Sequence, residues 1–182
     1  MKKVLVPLAP GFEEIEAVTV IDILRRAGVD VTVAGTVKGE IEGRNKIRLT
    51  PDVLLDAVVA RPFDMIVLPG GSAGTEHLKK DARVQRILHD TAERGGYITA
   101  ICAGPTVLSA AGLLQGKRVT SYPSAKGELP GTIYSEDRVV VDGLIVTSRS
   151  PGTAMEFAVK LVELLEGRTK MEEVSRGVLA RI

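Results

Sequence analysis

The sequence lacks several features that mark large classes of proteins. It has a single cysteine, so no disulfide can form within the chain, and a reducing compartment such as the cytoplasm is expected. Tryptophan is absent, aromatic residues make up only 3% of the chain, and the net charge is +1. A base-stacking surface or a strongly basic field is therefore not expected. No apolar run reaches the roughly 18 residues of a membrane span. We predict no membrane segment and no sequence-specific binding of nucleic acid.

Metal and nucleotide sites also have little support. Two histidines and one cysteine are too few for a dedicated zinc site. The glycines of 70–74 lack the spacing of a dinucleotide-binding loop. The segment 112–118 is one residue too short for a phosphate-binding loop, and Arg118 stands where serine or threonine is required. We predict neither a metal nor a nucleotide cofactor.

The sequence does contain the alternating pattern of an α/β protein. With 182 residues, 45% hydrophobic and 26% charged, it has the composition of a globular protein, and we expect one domain over residues 1–182. Strands are predicted at 3–8, 30–34, 65–68, 97–101, 139–141 and 144–147, helices at 13–27, 82–94, 105–111 and 153–165, and a hairpin or edge excursion at 38–51. This order predicts a flavodoxin-like three-layer sandwich, with a mostly parallel sheet and helices on both faces.

Two details of this pattern bear on function. The first apolar run resembles a targeting segment, but Pro7 and Pro10 interrupt it and acidic residues follow, so it is interpreted as a strand. In the first helix, the residues predicted to face inward are Ile15, Val18, Ile21, Ile23 and Leu24. Parallel α/β sheets bind ligands beyond the carboxyl ends of their strands, which selects the loops 7–11, 69–74 and 102–104 as places to seek chemistry.

Cys102 stands in a stretch that is typical of a nucleophile elbow. Ala100, Cys102 and Gly104 fit the form small–x–nucleophile–x–Gly, because the sharp turn from strand to helix crowds both flanking positions. Such a turn exposes the side chain near a helix N-terminus, where the dipole and free N–H groups favour a thiolate. A lone cysteine is often only a small buried hydrophobe. The small residues between a strand and a helix favour the reactive thiol instead.

A nucleophilic cysteine usually has a histidine beside it. His89 falls within the predicted helix 82–94 and is interpreted as a solvated residue. His77 follows the glycine-rich loop 70–74 and could approach the site, but the sequence does not place it there. No Cys–His–acid triad is predicted.

Glu16 is the other candidate partner of the thiol. Glu13 and Glu14 are interpreted as ordinary first-turn acids that complement the helix dipole. Glu16 stands between Ile15 and Ala17 in a mostly apolar stretch. If it points toward the carboxyl end of the sheet, burial raises its pKa and it could donate a proton to a nearby thiolate. The sequence leaves both orientations open.

Backbone amides offer a third element of the site. Gly70 and Gly71 have no Cβ to obstruct an approaching substrate, and the amide of Ala103 follows the nucleophile. Together these N–H groups fit the geometry of an oxyanion hole. A tight turn that needs glycine backbone angles would leave the same signature.

Five stretches of the chain, in this order, carry a family resemblance. They are Leu8–Glu16, Asp22 with Arg25–Gly28, Val67–Gly71, Ala100–Pro105 and Thr147–Thr153. Together they resemble the DJ-1/ThiJ/PfpI family, in the superfamily that includes class I glutamine amidotransferase domains. The resemblance extends across nearly the whole chain.

The resemblance implies roles for particular residues. Cys102 corresponds to the family's nucleophile and oxidation-sensitive thiol, and Glu16 to its largely protonated carboxylic acid, hydrogen-bonded to the sulfur. The amides of Gly71 and Ala103 would surround the substrate. The family is typically a homodimer with the first helix near the interface, which makes Asp22 and Arg26 interface-side residues and places the site close to the partner subunit.

At two positions this sequence differs from particular branches of the family, which limits the activities that the resemblance implies. Protease-like members have histidine directly after the nucleophile, where this chain has Ala103, which argues against peptidase activity. Animal members have a histidine in the segment matching 120–123, where this chain has Tyr122, so proton transfer assisted by that histidine is in doubt.

The resemblance implies glutathione-independent conversion of glyoxal or methylglyoxal to hydroxy acids, or the deglycation of proteins or nucleotides, through Cys102 with Glu16 as acid/base. The partners would be a small dicarbonyl or a glycated protein. The alternative is a redox-responsive protective or chaperone-like protein of the oxidative stress response, which senses oxidants through Cys102. A catalytically inert, dimeric binding module is a third possibility.

Overall fold

The computed structural model of the chain describes residues 1–181. In chain order, the strands are β1 (Lys3–Leu8), β2 (Asp30–Gly35), β3 (Ile41–Glu42), β4 (Arg48–Leu49), β5 (Val53–Leu54), β6 (Met65–Leu68), β7 (Tyr97–Ile101), β8 (Arg118–Val119), β9 (Ile133–Tyr134), β10 (Val139–Asp142) and β11 (Ile145–Ser148). The α-helices are α1 (Glu14–Arg26), α2 (Ser72–Lys80), α3 (Ala82–Glu93), α4 (Pro105–Ala110), α5 (Ala154–Glu166) and α6 (Arg168–Gly177).

Seven strands form the main sheet, in the order β10-β11-β7-β6-β1-β2-β5. All neighbouring pairs are parallel except β10 and β11, which form an antiparallel hairpin at one edge. The strands β1, β6 and β7 lie side by side at the centre. Their carboxyl ends therefore meet at one edge of the sheet, where a parallel α/β fold places its ligand site.

Each face of the sheet has its own apolar core, because side chains alternate along a strand. Val4 and Val6 of β1 pack in a cluster with residues of α1, α5 and α6, whereas Leu5 packs with residues of α2, α3 and α4. The three layers confirm the predicted flavodoxin-like sandwich. A third, smaller cluster joins Phe12 and Ala17 to Ile41 of the β3–β4 hairpin. Through this cluster the hairpin packs against the start of α1.

Most predicted elements occur within one or two residues of their expected bounds. The glycine signals account for several ends, as at Gly28, where φ of +81° terminates α1. The excursion at 38–51 is the β3–β4 hairpin, and the segments around Asp142 form the predicted β10–β11 hairpin. The helix α2 was missed, because its small polar residues directly after two glycines were interpreted as a loop.

The predicted inner face of α1 was partly wrong. Ile23 and Leu24 are buried, but Ile15 and Val18 are 56% and 43% exposed. The buried positions at the start of the helix belong to Glu14, Glu16 and Ala17. The helix is therefore rotated so that acidic side chains, rather than the apolar ones beside them, point toward the sheet and the hairpin.

Across residues 1–181, no helix is both long and apolar enough to cross a membrane.

A tight contact behind the elbow gives the first testable expectation. A Cβ on Gly104 would lie 2.8 Å from the carbonyl oxygens of Ile101 and Leu68, which are backbone atoms that cannot rotate away. We expect Gly104→Ala to lower the free energy of unfolding by about 1–3 kcal/mol, the usual cost of overpacking. Urea denaturation measures this difference.

The matched control is Gly152→Ala, where a Cβ would meet only Ser150 Oγ, at 3.9 Å. This substitution should change stability little. Equal stability of the two variants would contradict the packing of the elbow described here.

Candidate active site

Cys102 lies in a strained turn at the carboxyl end of β7. Its φ is +65°, in the left-handed region that residues with a side chain seldom adopt. Two backbone hydrogen bonds hold this conformation: Cys102 N donates to Ser148 O at 3.0 Å, and Tyr122 N donates to Cys102 O at 2.9 Å. The close packing of Gly104 confirms the expected crowding of the turn. A strained residue that its surroundings hold in place is typical of functional sites.

Glu16 reaches the same place from the first turn of α1. The residue has no solvent exposure, and its Oε2 accepts a hydrogen bond of 2.7 Å from the amide of Gly70 at the end of β6. A Cβ on Gly70 would lie 2.5 Å from Glu16 Oε2 and 2.6 Å from Cys102 Cβ. The carboxyl and the thiol side chains therefore face each other across the space that this glycine leaves open.

The second carboxyl oxygen of Glu16 is less well satisfied. Oε1 is buried and has no partner of regular hydrogen-bond geometry in the described part of the chain. The thiol of Cys102 nevertheless lies close enough to the carboxyl for each group to change the pKa of the other. A buried oxygen without a partner is costly in a folded protein. It is also a ready acceptor for a proton or for a substrate hydroxyl.

The pKa values of the two groups are both raised. Burial raises the pKa of Glu16 to about 7, and hydrogen bonds with Cys102 and with the Gly70 amide oppose that shift. Burial also raises the pKa of the Cys102 thiol to about 12, with further contributions from the charge of Glu16 and the hydrogen bond to it. The expectation that the turn exposes the thiol and favours its thiolate was wrong, because burial and Glu16 outweigh the amides of Ala103 and Gly71, which lower its pKa. Only 8% of Cys102 is exposed, and the desolvated sulfur lies beside a carboxylate.

This coupling defines what the pair can do chemically. Near neutral pH the pair loses its first proton, and the negative charge that results lies mainly on the carboxyl of Glu16 because the pKa of the thiol is the higher of the two. A proton that moves from the thiol to Glu16 creates a thiolate without adding net charge to the buried site. The pair is therefore suited to generating a nucleophile at the moment of attack and to returning the proton afterwards.

The backbone amides at the site contact two different groups, the Cys102 sulfur and the Glu16 carboxyl. The amides of Gly71 and Ala103 act on the Cys102 sulfur and lower its pKa, so their N–H groups point where the predicted oxyanion donors should be. Gly70 does not fit that prediction, because its N–H already donates to Glu16. Its role in the structure is to hold the carboxyl beside the thiol.

His77 and His89 are both exposed, whereas the Cys102 thiol is buried. His89 is exposed on α3, as expected. His77 is exposed on α2, and its Nδ1 lies 3.0 Å from the carbonyl oxygen of Pro10. Within residues 1–181, no group of three or more His, Cys, Asp or Glu side chains is arranged to hold a metal ion.

The interpretation of Glu13 and Glu14 as ordinary first-turn acids was wrong. Both are buried under the β3–β4 hairpin. Glu14 accepts hydrogen bonds from Asn45 N at 2.7 Å, Asn45 Nδ2 at 2.9 Å and Ile47 N at 3.4 Å. Burial would raise its pKa, but a hydrogen bond from its own backbone amide and those from Asn45 and Ile47 together lower it. Three acids within four positions exceed what a helix dipole needs, and that excess was the available sequence signal.

Asp22 and Arg26 lie away from the thiol. They form an exposed i,i+4 ion pair of 3.0 Å on the outer side of α1. The same side of the helix carries the exposed Ile15 and Val18. The two charged residues therefore belong to a solvent-facing surface with apolar neighbours.

Comparison with known proteins extends these observations. The model of the DJ-1/PfpI family matches residues 2–164. Protein dj-1beta of Drosophila melanogaster is 46% identical over 181 residues, which cover 98% of this chain and 97% of that protein. A Caenorhabditis elegans protein named glutathione-independent glyoxalase DJR-1.2 is 40% identical over 172 residues, or 93% of this chain and 91% of that one.

Solved structures of related proteins have the same fold as this chain. The crystal structure of Drosophila melanogaster DJ-1beta superposes with a TM-score of 0.97 at 44% identity and covers 100% of this chain and 99% of that one. The range matched by the family model includes every residue of the candidate site.

The raised pKa of Glu16 predicts how stability depends on pH. Between pH 4.5 and about 7 the folded protein keeps a proton that the unfolded chain has released, so stability falls as the pH rises through this window. Glu16→Gln keeps an acceptor for the Gly70 amide but has no proton to lose. We expect its free energy of unfolding, relative to wild type, to rise by roughly 2–3 kcal/mol from pH 4 to pH 8.

Urea denaturation across this pH range, under reducing conditions, provides the measurement. Glu40→Gln, at an exposed position, controls for the loss of one carboxylate. A difference between Glu16→Gln and wild type that does not vary with pH would contradict a buried, partly protonated Glu16.

Proposed function

The chain belongs to the DJ-1/PfpI family, and from this premise we propose that it converts glyoxal or methylglyoxal to the hydroxy acid without glutathione. The observation that carries the proposal is the buried pair of Cys102 and Glu16, which face each other across Gly70. A relative named as a glutathione-independent glyoxalase supports it.

The first step is attack of sulfur on the aldehyde. As the thiol proton passes to Glu16, the sulfur bonds to the aldehyde carbon and the carbonyl electron pair moves onto oxygen. The amides of Gly71 and Ala103 face the sulfur and can stabilise this oxyanion. Glu16 then returns the proton to the oxyanion, and the product is a neutral hemithioacetal.

The second step moves hydrogen between the two carbons. The Glu16 carboxylate removes the proton from the carbon that carries sulfur, and the electrons form an enediol as the neighbouring carbonyl oxygen gains a proton. Delivery of a proton to the second carbon, with loss of the hydroxyl proton on the first, yields a thioester. A carboxyl with a pKa near 7 can both accept and donate a proton at neutral pH.

Hydrolysis closes the cycle. Water attacks the thioester carbon, the carbon–sulfur bond breaks, and the sulfur regains a proton. The sum is one dicarbonyl and one water converted to one hydroxy acid, with no external oxidant, metal or cofactor. Glycolate forms from glyoxal and lactate from methylglyoxal.

The same chemistry extends to early glycation adducts. A hemithioacetal or aminocarbinol in equilibrium with free aldehyde could be drawn off by an enzyme that consumes the aldehyde, or attacked directly by Cys102. We propose glycated protein as a further substrate class, and this class requires a test that separates adduct release from aldehyde removal. The single cysteine keeps the cytoplasm as the proposed compartment.

A second candidate function follows from the unpartnered Glu16 Oε1. A peroxide can oxidise Cys102 to a sulfenic acid, with the peroxide reduced to water or an alcohol, and the new O–H group beside this oxygen could donate a hydrogen bond to it. The protein would then act as an oxidant-responsive protective protein, in which reversible oxidation of one thiol changes its binding to other proteins. Burial and the raised pKa of the thiol slow such oxidation, so the aldehyde reaction is the leading proposal.

Direct detection of lactate is the decisive experiment. Purified wild type, Cys102→Ser and Glu16→Gln are given methylglyoxal in amine-free buffer without glutathione. We expect lactate from wild type and a loss of at least 100-fold in both variants, because each lacks an indispensable group. Background lactate from all three would overturn the proposal and favour the oxidant-responsive alternative.

A glycated peptide purified from free aldehyde separates the two routes of deglycation. Release of the adduct faster than its spontaneous dissociation would support direct action by Cys102. Release at the spontaneous rate would limit the function to removal of free aldehyde.

We also propose a homodimer through the exposed face of α1. Ile15 and Val18, together with Ile47 on the hairpin, are large apolar side chains left in solvent. We expect Val18→Asp to convert a dimer to a monomer in light scattering coupled to size exclusion, because it places an unpaired charge in the interface. Val37→Asp, at an exposed position in the β2–β3 loop, is the control. A wild type that elutes as a monomer would contradict this proposal.

A further inference from the structure

One buried carboxyl near the thiol has no part in the mechanism above. Glu13 is the N-cap residue of α1, three positions before Glu16, and it lies close enough for its charge to act on the carboxyl of Glu16. The backbone of Glu13 is held firmly, since its N–H donates to Gly70 O at 3.0 Å while Gly70 N donates to Glu16. A single glycine therefore holds both the backbone of Glu13 and the carboxyl of Glu16.

The side chain of Glu13 faces a cation on the surface. Arg44 lies in the turn between β3 and β4, and its Nε is 3.5 Å from Glu13 Oε2. The side chain of Arg44 is 56% exposed, whereas that of Glu13 is 6% exposed. The hydrogen bond from Arg44 N to Phe12 O, of 2.9 Å, ties the turn to the chain just before α1. A solvent-accessible charge thus lies against a buried one.

Another acid provides the main side-chain hydrogen bonds between the start of α1 and the hairpin. Glu14 makes that connection through its hydrogen bonds to Asn45 and Ile47. Apart from Arg44, the one side-chain partner of Glu13 in the described residues is Asn45 Nδ2, at a long 3.4 Å. The closest charged neighbour of the buried Glu13 carboxyl is thus the exposed guanidinium of Arg44.

We propose that Glu13 and Arg44 together set the proton affinity of Glu16, and through it the reactivity of Cys102. Neither residue touches the reacting atoms, so both are positioning residues that act through Glu16. The inference rests on the proposed role of that carboxyl, and it identifies the surface residue through which the environment can modulate the site.

The signs of the two effects are opposite. The negative charge of Glu13 raises the pKa of Glu16, and the positive charge of Arg44 lowers it. Burial raises the pKa of Glu13 itself, with Arg44 opposing and the charge of Glu14 adding to the shift. From the remaining elements around Glu16, the thiol of Cys102 and the amide of Gly70 also face its carboxyl. Removing Glu13 should therefore lower the pKa of Glu16, and removing Arg44 should raise it.

The pH dependence of Cys102 alkylation by iodoacetamide tests this proposal without relying on aldehyde turnover. The first rise of the alkylation rate with pH marks loss of the first proton from the Glu16–Cys102 pair. Glu13→Gln should move that rise to lower pH and Arg44→Gln to higher pH, each by about half a unit or more. The double variant should return close to wild type.

Three controls make the outcome decisive. Arg48→Gln removes another exposed arginine of the same hairpin, one that pairs with Glu42, and should leave the profile unchanged. In a Glu16→Gln background, the shift caused by Glu13→Gln should fall below half its size. Circular dichroism verifies folding, and the exposed Arg44 still provides a test if Glu13→Gln does not fold.

Shifts in the same direction, no shift in either single variant, or an equal shift in Arg48→Gln would overturn the proposal. If Glu13→Gln shifted the alkylation profile by its full amount in the Glu16→Gln background, the effect could not act through the Glu16 carboxyl. Loss of lactate formation alone would not, because the alkylation rate reports the thiol directly. The failure of this inference and the failure of the proposed function are thus distinguishable.

Discussion

The hydrogen bond from the amide of Gly70 to Glu16 Oε2 is the interaction on which the site depends. It joins the first turn of α1 to the end of β6, the strand beside the one that carries the nucleophile. The reciprocal hydrogen bond, from Glu13 N to Gly70 O, closes a ring between the same two segments. Only glycine fits at this point, because any Cβ would collide with both the carboxyl and Cys102. The requirement for contact between carboxyl and thiol therefore dictates the residue between them.

Burying three carboxyl groups around one helical turn is unfavourable unless each is compensated. Glu14 is compensated by hydrogen bonds from the hairpin, and its pKa falls. Glu13 has a nearby arginine and a long hydrogen bond, and its pKa rises. Glu16 has one strong hydrogen bond and an unpartnered oxygen, and its pKa rises to about 7. Glu16 is thus the least compensated of the three, and the carboxyl beside the thiol is the one best able to exchange a proton near neutral pH.

This arrangement also explains why a thiol with a raised pKa is compatible with nucleophilic chemistry. A permanently ionised thiolate in this site would add to the charge of Glu16 in a poorly solvated space. A shared proton avoids that cost, because thiolate and carboxylic acid replace thiol and carboxylate with no change in net charge. The amides of Gly71 and Ala103 then stabilise negative charge on or near the sulfur. Reactivity arises from the pair, and neither group alone would provide it.

The sequence by itself determined the features that depend on neighbouring residues. Alternating apolar runs predicted β1, β6 and β7 at their observed bounds, and the small residues around Cys102 predicted the elbow. It could not decide which side of α1 is buried, because Ile15 and Glu16 are adjacent and either orientation is compatible with the helix. The hairpin decided that question, since Asn45 and Ile47, some thirty positions away, supply the hydrogen bonds that bury Glu14. The role of Gly70, the burial of Glu13 and the raised pKa of the thiol likewise required the tertiary structure, because each results from contact between segments that are distant in the chain.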